Sequence, residues 1–108
     1  MNLKHFLNKN TSKNILNYFI KLKKFFLFKN KKINYIIISE EDSCDVFYFN
    51  MKTIYFKIKF NKNNFISITD CNTENSLSVK FNLNDIIKLK FICLSIYDIY
   101  LLYNNKKK

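Results

Sequence analysis

The sequence predicts a mainly β domain, a small barrel of five to six strands behind an N-terminal amphipathic helix, and three observations lead there. The chain has 108 residues, which gives room for one core and not two. Its hydrophobic period changes after Lys32 from about 3.6 residues to 2. The period-2 segments then recur at short spacing, separated by asparagine clusters, as in a small closed or nearly closed sheet. With 48% apolar and 18% aromatic residues, the chain carries enough hydrophobic surface to fold, unlike a disordered basic tail.

Residues 11–28 read as a helix. Thr11 or Ser12 can cap it, and Ile15, Leu16, Phe19, Ile20, Leu22, Phe25 and Phe26 recur at three- and four-residue steps. Lys13, Asn14, Asn17, Lys21 and Lys24 occupy the other side, so the helix is basic and amphipathic. Such a helix can lie on a membrane or along RNA, but packing on the body of the domain is the more general use of an apolar face. Asn30, Lys31 and Lys32 end it.

Residues 52–60 read as a strand, where Ile54, Phe56, Ile58 and Phe60 alternate with Thr53, Tyr55, Lys57 and Lys59. Residues 77–81 alternate in the same way, through Leu77, Val79 and Phe81, and so do 87–91, through Ile87, Leu89 and Phe91. Segments 33–39, 46–50, 64–69 and 95–103 are β-rich by composition though less regular. Ile54, Phe56, Ile58, Leu77, Val79, Ile87 and Leu89 are therefore expected to face the core. Turns fall at Asn61-Lys62-Asn63-Asn64 and Asn72-Thr73-Glu74-Asn75, because a chain without glycine must make its left-handed turn positions from Asn or Asp. The organisation expected is a helical extension over 1–32, a barrel over 33–103 and a lysine tail over 104–108.

Gly, Pro, Trp, Ala, Gln and Arg are absent, and Asn, Lys, Ile, Phe and Tyr fill 70 of the 108 positions. Those five have codons rich in A and T, which points to an AT-rich genome and an organelle interior. Plastid or apicoplast is the compartment expected, with mitochondrion or endosymbiont cytoplasm as alternatives. The 19 lysines against 8 carboxylates leave a net charge of +11, a field that attracts polyanions. No apolar run approaches the roughly 20 residues that span a bilayer, and the first residues carry no continuous apolar stretch of a signal peptide. A membrane partner is not expected.

Cys44, Cys71 and Cys93 form no close pair, which argues against a disulfide framework or a zinc knuckle and for buried or incidental thiols. His5 is the single histidine and lies far along the chain from any of them. Glu40, Glu41, Asp42 and Asp45 form the one acidic cluster and read as a solvated turn rather than an acid-base pair or cation site. A glycine-free chain has no glycine-rich phosphate loop. No enzymatic activity, cofactor, metal or small-molecule substrate is expected.

A small basic barrel with Lys and Tyr at exposed strand positions is the layout of an oligonucleotide-binding fold. Short motifs then follow in order: Tyr35-Ile36-Ile37-Ile38-Ser39, Lys52-Thr53-Ile54-Tyr55-Phe56-Lys57-Ile58, Thr73-Glu74-Asn75, Asn84-Asp85-Ile86-Ile87-Lys88-Leu89, and Cys93-Leu94-Ser95 with Tyr100 and Leu102. In that order they resemble the seventeenth protein of the bacterial-type small ribosomal subunit, over residues 35–102. The family's Arg-Pro and Lys-Thr-Lys near the end are replaced here by Ile92-Cys93 and Ile96-Tyr97-Asp98, and 1–34 have no counterpart. A second resemblance is to bacterial translation initiation factor one, carried by Phe56-Lys57-Ile58-Lys59-Phe60, Asn84-Asp85 and Ser95-Ile96-Tyr97-Asp98. Both imply an RNA-binding barrel used in translation, the first a ribonucleoprotein component that contacts ribosomal RNA and neighbouring ribosomal proteins. The residues expected to hold RNA are Lys52, Lys57, Lys59, Lys62, Lys80, Lys88, Lys90 and Ser95. A peripheral membrane or interaction protein that works through its N-terminal helix is the reading from another class.

Overall fold

A computed structural model describes residues 12–29, 33–51 and 54–106. Helix α1 (Ser12–Lys29) leads into five strands, β1 (Ile33–Glu41), β2 (Cys44–Met51), β3 (Tyr55–Phe60), β4 (Phe65–Asp70) and β5 (Ser76–Lys80), and helix α2 (Leu83–Lys106) follows. The strands form one antiparallel meander in the order β1-β2-β3-β4-β5. The sheet is open, with β1 and β5 as its edges, so the barrel expected from the strand spacing does not close.

Each connection has a local cause. Glu41 pairs with Cys44 across a two-residue turn in which Asp42 (φ 52°) and Ser43 (φ 64°) are both left-handed, the type I′ geometry whose twist suits a hairpin. Met51 and Ile54 exchange backbone hydrogen bonds of 2.8 and 3.2 Å at the next hairpin. The asparagine cluster before β4 supplies Asn63 (φ 62°) and Asn64 (φ 66°), the role expected of Asn in place of Gly. Before β5, Asp70 Oδ1 accepts from the amides of Asn72 (2.9 Å) and Thr73 (3.3 Å), and Glu74 takes the left-handed position (φ 64°).

Pairing register puts Ile36, Phe49 and Phe56 in one row, Ile38, Phe47, Ile58, Ile68 and Leu77 in the next, and Phe60, Ile66 and Val79 in the third. These point to one face, and both helices cover it. Ile15, Phe19, Leu22 and Phe26 of α1 and Leu89, Cys93 and Ile96 of α2 are buried in the same cluster. At its centre the ring of Phe19 lies 5.9 Å from those of Phe49 and Phe56, which stack on each other at 5.1 Å. Phe56, Ile58, Val79 and Leu89 are buried as expected, and Ile54 and Leu77 are partly buried.

Residues 87–91 and 95–103 are helix, not strand. The alternation of Ile87, Leu89 and Phe91 is real but only five residues long, and over 24 residues the buried positions Leu89, Cys93 and Ile96 follow helical steps of four and three. Ile87 points outward and is 47% exposed, contrary to its expected place in the core. An unrecognised cap starts this helix: Asn82 Oδ1 accepts from the Asp85 amide at 2.8 Å while Asp85 Oδ2 accepts from Asn82 Nδ2 at 3.2 Å. Helix α2 continues to Lys106, so the start of the expected lysine tail is helical. His5, Asn30, Lys31, Lys32, Lys52, Lys107 and Lys108 lie outside the described residues.

Candidate nucleic-acid interface

The face of the sheet opposite the helices carries the polar half of the strand alternation. Its rows run Tyr35, Asn50, Tyr55, then Ile37, Tyr48, Lys57, Thr69, Ser76, then Ser39, Val46, Lys59, Ser67, Ser78, with Phe65 beside Lys80 at the far edge. Tyr35, Tyr48 and Tyr55 are half-buried and Phe65 is exposed. The rings of Tyr35 and Tyr55 meet edge to face with centroids 6.1 Å apart. Asn50 Nδ2 donates to Tyr35 Oη at 3.2 Å, and Asn34 Nδ2 donates to Asn50 Oδ1 at 2.7 Å. The neighbouring Tyr35 hydroxyl is the first cause that pushes the Tyr55 phenol up to about 12.

Lys57 and Lys59 share this face as expected, but each is directed at the β1–β2 hairpin tip. Lys57 Nζ stands 3.1 Å from Glu41 Oε2, and Lys59 Nζ stands 2.8 Å from Asp42 Oδ2. Lys59 is the register partner of Val46, so to reach Asp42 its methylene stem must run along β2 past Cys44. Val46 and Cys44 are both buried, on a face no helix covers. Lys57 crosses its partner Tyr48, with Nζ 5.8 Å from the ring centroid, and the Tyr48 hydroxyl donates to Glu41. The Tyr48 bond, then the Lys57 bond, holds the Glu41 carboxyl below the usual range; Lys59 does the same for Asp42. The Lys59 ammonium is pushed up by Asp42 in return.

The other expected RNA ligands are dispersed. Lys80 is on the open face at β5, with Nζ 6.0 Å from the Phe65 ring centroid. Lys62 is exposed in the single 3₁₀ turn between β3 and β4. Lys88 and Lys90 belong to α2, behind the sheet, so they do not share a face with Lys57, Lys59 and Lys80. Lys90 is paired with Asp45 and lies 5.8 Å from the Phe60 ring centroid, at the border of the core. Ser95 Oγ donates to the Phe91 carbonyl at 2.8 Å, a bond within its own helix. Ser95 is thereby engaged locally.

The acidic cluster, expected as a solvated turn, has only Asp42 in the turn, with Glu40 and Glu41 on β1 and Asp45 on β2, and three of its carboxylates each face a different lysine. Among the described residues no group of three or more His, Cys, Asp and Glu side chains is placed to hold a metal ion. Cys44 and Cys93 are buried free thiols and Cys71 is a half-buried one. Complete burial raises the Cys93 thiol well above its ordinary value. No helix among the described residues is long and apolar enough to cross a membrane.

Sequence reasoning found the lysines of the face and missed Tyr35 and Tyr48 as members of it. The available signal was register: the alternation of 52–60 puts Tyr55 outward with Lys57 and Lys59, and a paired strand must lay its own outward residues beside them. No known protein family, curated protein or solved structure matches this chain.

Proposed function

We propose that the protein binds single-stranded RNA on the open face of its sheet. The observation that carries this reading is the joint placement of Tyr35, Tyr48 and Tyr55 with Lys57, Lys59 and Lys80 on a face that neither helix covers. Aromatic rings on a sheet provide π-faces on which bases stack, and lysines around them follow the phosphates. The +11 charge adds the long-range attraction.

A role on the small ribosomal subunit, with ribosomal RNA and ribosomal proteins as partners, is the finer form of this reading. The resembling motifs Tyr35-Ile36-Ile37-Ile38-Ser39 and Tyr55-Phe56-Lys57-Ile58 fall on β1 and β3, whereas Asn84-Asp85-Ile86-Ile87-Lys88-Leu89 falls on α2. The support for RNA therefore comes from the face and not from the family. Membrane binding through the apolar side of α1 conflicts with the burial of Ile15, Phe19, Leu22 and Phe26 in the core.

Fluorescence anisotropy of a labelled single-stranded RNA, measured across salt concentrations, tests the reading. Tyr35→Ala and Tyr55→Ala should each weaken binding by about 1–3 kcal/mol. Lys80→Ser should lower the slope of log affinity against log salt by about 0.7, and Lys88→Ser, on the helical side, should leave the affinity nearly unchanged. Equal effects of Lys80→Ser and Lys88→Ser, with no effect of the tyrosines, would reduce the attraction to net charge alone.

A further inference from the structure

The two edges of the sheet are built differently. Edge β5 has 5 residues and shows Ser76, Ser78 and Lys80, the polar and charged residues that discourage strand pairing. Edge β1 has 9 residues, no lysine, and two large apolar side chains left open, Ile37 at 48% on the open face and Ile38 at 41% on the helical face. Among the described residues no backbone hydrogen bond joins β1 to anything but β2. The register of β1 shifts between Ile33 and Tyr35 and is regular from Tyr35 to Glu41, and a long edge that carries apolar side chains, its outer amides and carbonyls unpaired among the described residues, is a template for another strand.

We infer that β1 pairs antiparallel with β1 of a second copy of this chain, joining two sheets into one. Charge selects both the partner and the direction. Residues 33–51 contain no lysine, although the whole chain is at +11, so two copies meet with least repulsion along this hairpin. Within β1 the only charges are Glu40 and Glu41, at one end. A parallel pairing would bring four carboxylates together. An antiparallel pairing centred on Ile37, the midpoint of the strand, sets Ile37 against its copy and Ile36 against Ile38, and parts the two Glu41 residues by roughly 25 Å. A two-fold axis perpendicular to the sheet keeps the open faces on one side, so the tyrosine rows of both copies lie on one continuous surface. Pairing of this kind consumes the apolar edge and leaves only the two β5 edges, which is a closed dimer and not a growing fibre.

Sedimentation equilibrium of the full chain tests this, with RNA absent so that the outcome is independent of the RNA reading. The expected result is a concentration-dependent dimer that strengthens as salt rises, because salt screens repulsion between the two +11 molecules. RNA binding must weaken with salt, so the two interactions respond with opposite sign. Ile37→Lys should yield the monomer at every concentration tested, while Ser78→Lys on β5 and Phe91→Ser on the 67%-exposed outer side of α2 should leave the dimer intact. Amide exchange of the native chain supplies a readout that needs no variant: protection within β1 should rise with protein concentration, and that within β5 should not. A monomer at all concentrations, a dimer that survives Ile37→Lys, or one lost on Ser78→Lys or Phe91→Ser would overturn the inference.

Discussion

Glu41 and Asp42 decide what Lys57 and Lys59 can do. Each carboxylate takes the charge of one lysine on the open face, so in the free protein these ammonium groups are drawn to the hairpin tip, Lys57 across the ring of Tyr48. Both carboxyls are held low, and the Tyr48 phenol is pushed up to about 12, chiefly by its bond to Glu41. A depressed carboxyl adds stability that is present above its unfolded value, near pH 4, and is lost as pH falls through the lower folded value. A raised phenol adds stability that is complete below about pH 10 and lost as pH rises through about 12. The tip should therefore be best held between those limits, and the protection of the amides of residues 41–44, taken relative to their intrinsic exchange rates, should fall on acidification below about pH 4. The same pairs restrain RNA binding. Glu41→Gln with Asp42→Asn should raise RNA affinity several-fold at low salt and steepen its salt dependence by up to about 1.4 in slope, since two lysines become available to phosphate. Unchanged affinity in anisotropy would mean that Lys57 and Lys59 serve the hairpin alone. The sequence showed these lysines pointing outward, but it could not show their partners, because Glu41 and Asp42 stand 16 and 17 residues away and meet them only through register.

At the scale of elements, β3 was legible because one side chain in two is buried along its whole length, from Phe56 through Ile58 to Phe60. Ile58 is fully buried between Phe47 and Ile68 in its row, and Ile58→Ala should destabilise by about 2–5 kcal/mol in urea unfolding. Helix α2 was not legible, and the reason is chemical. Leu83, Ile87, Phe91, Leu94, Leu101 and Leu102 are exposed on the side away from the core, so apolar residues surround the helix and no polar face marks its period. What remained was Lys88 and Lys90 about Leu89, a two-residue step that mimics a strand. The one clear helical signal lay at the start, in the reciprocal Asn82 and Asp85 bonds. Asn82→Ala should remove that cap at a cost of about 1 kcal/mol, seen as a lower unfolding midpoint with the same folded spectrum. The strands 33–41 and 44–51 were recognisable from β-rich composition, but their function as an edge and its neighbour follows only from the order of the meander.

For the whole molecule, α1 is structural before it is anything else. An open sheet exposes two faces, and Phe49, Phe56, Ile58 and Ile68 on the inner one need a cover that α2 alone does not supply, since Phe19 of α1 fills the space over Phe49 and Phe56. Ile15, Phe19, Leu22 and Phe26 together bury an amount of apolar surface equivalent to roughly 6–12 kcal/mol. That is comparable with the entire stability of a domain, about 5–15 kcal/mol. Removal of residues 1–29 should thus abolish cooperative unfolding rather than detach an appendage, and the truncated chain should bind hydrophobic dye and lose its near-ultraviolet signal. The basic side of α1 can be tested without that damage. Lys13, Lys21 and Lys24 are exposed on it, and their joint replacement by serine should leave thermal unfolding within about 1 kcal/mol of the native chain. If the truncated protein still unfolds cooperatively, the sheet and α2 form a core of their own, and α1 is an added element free to serve another purpose.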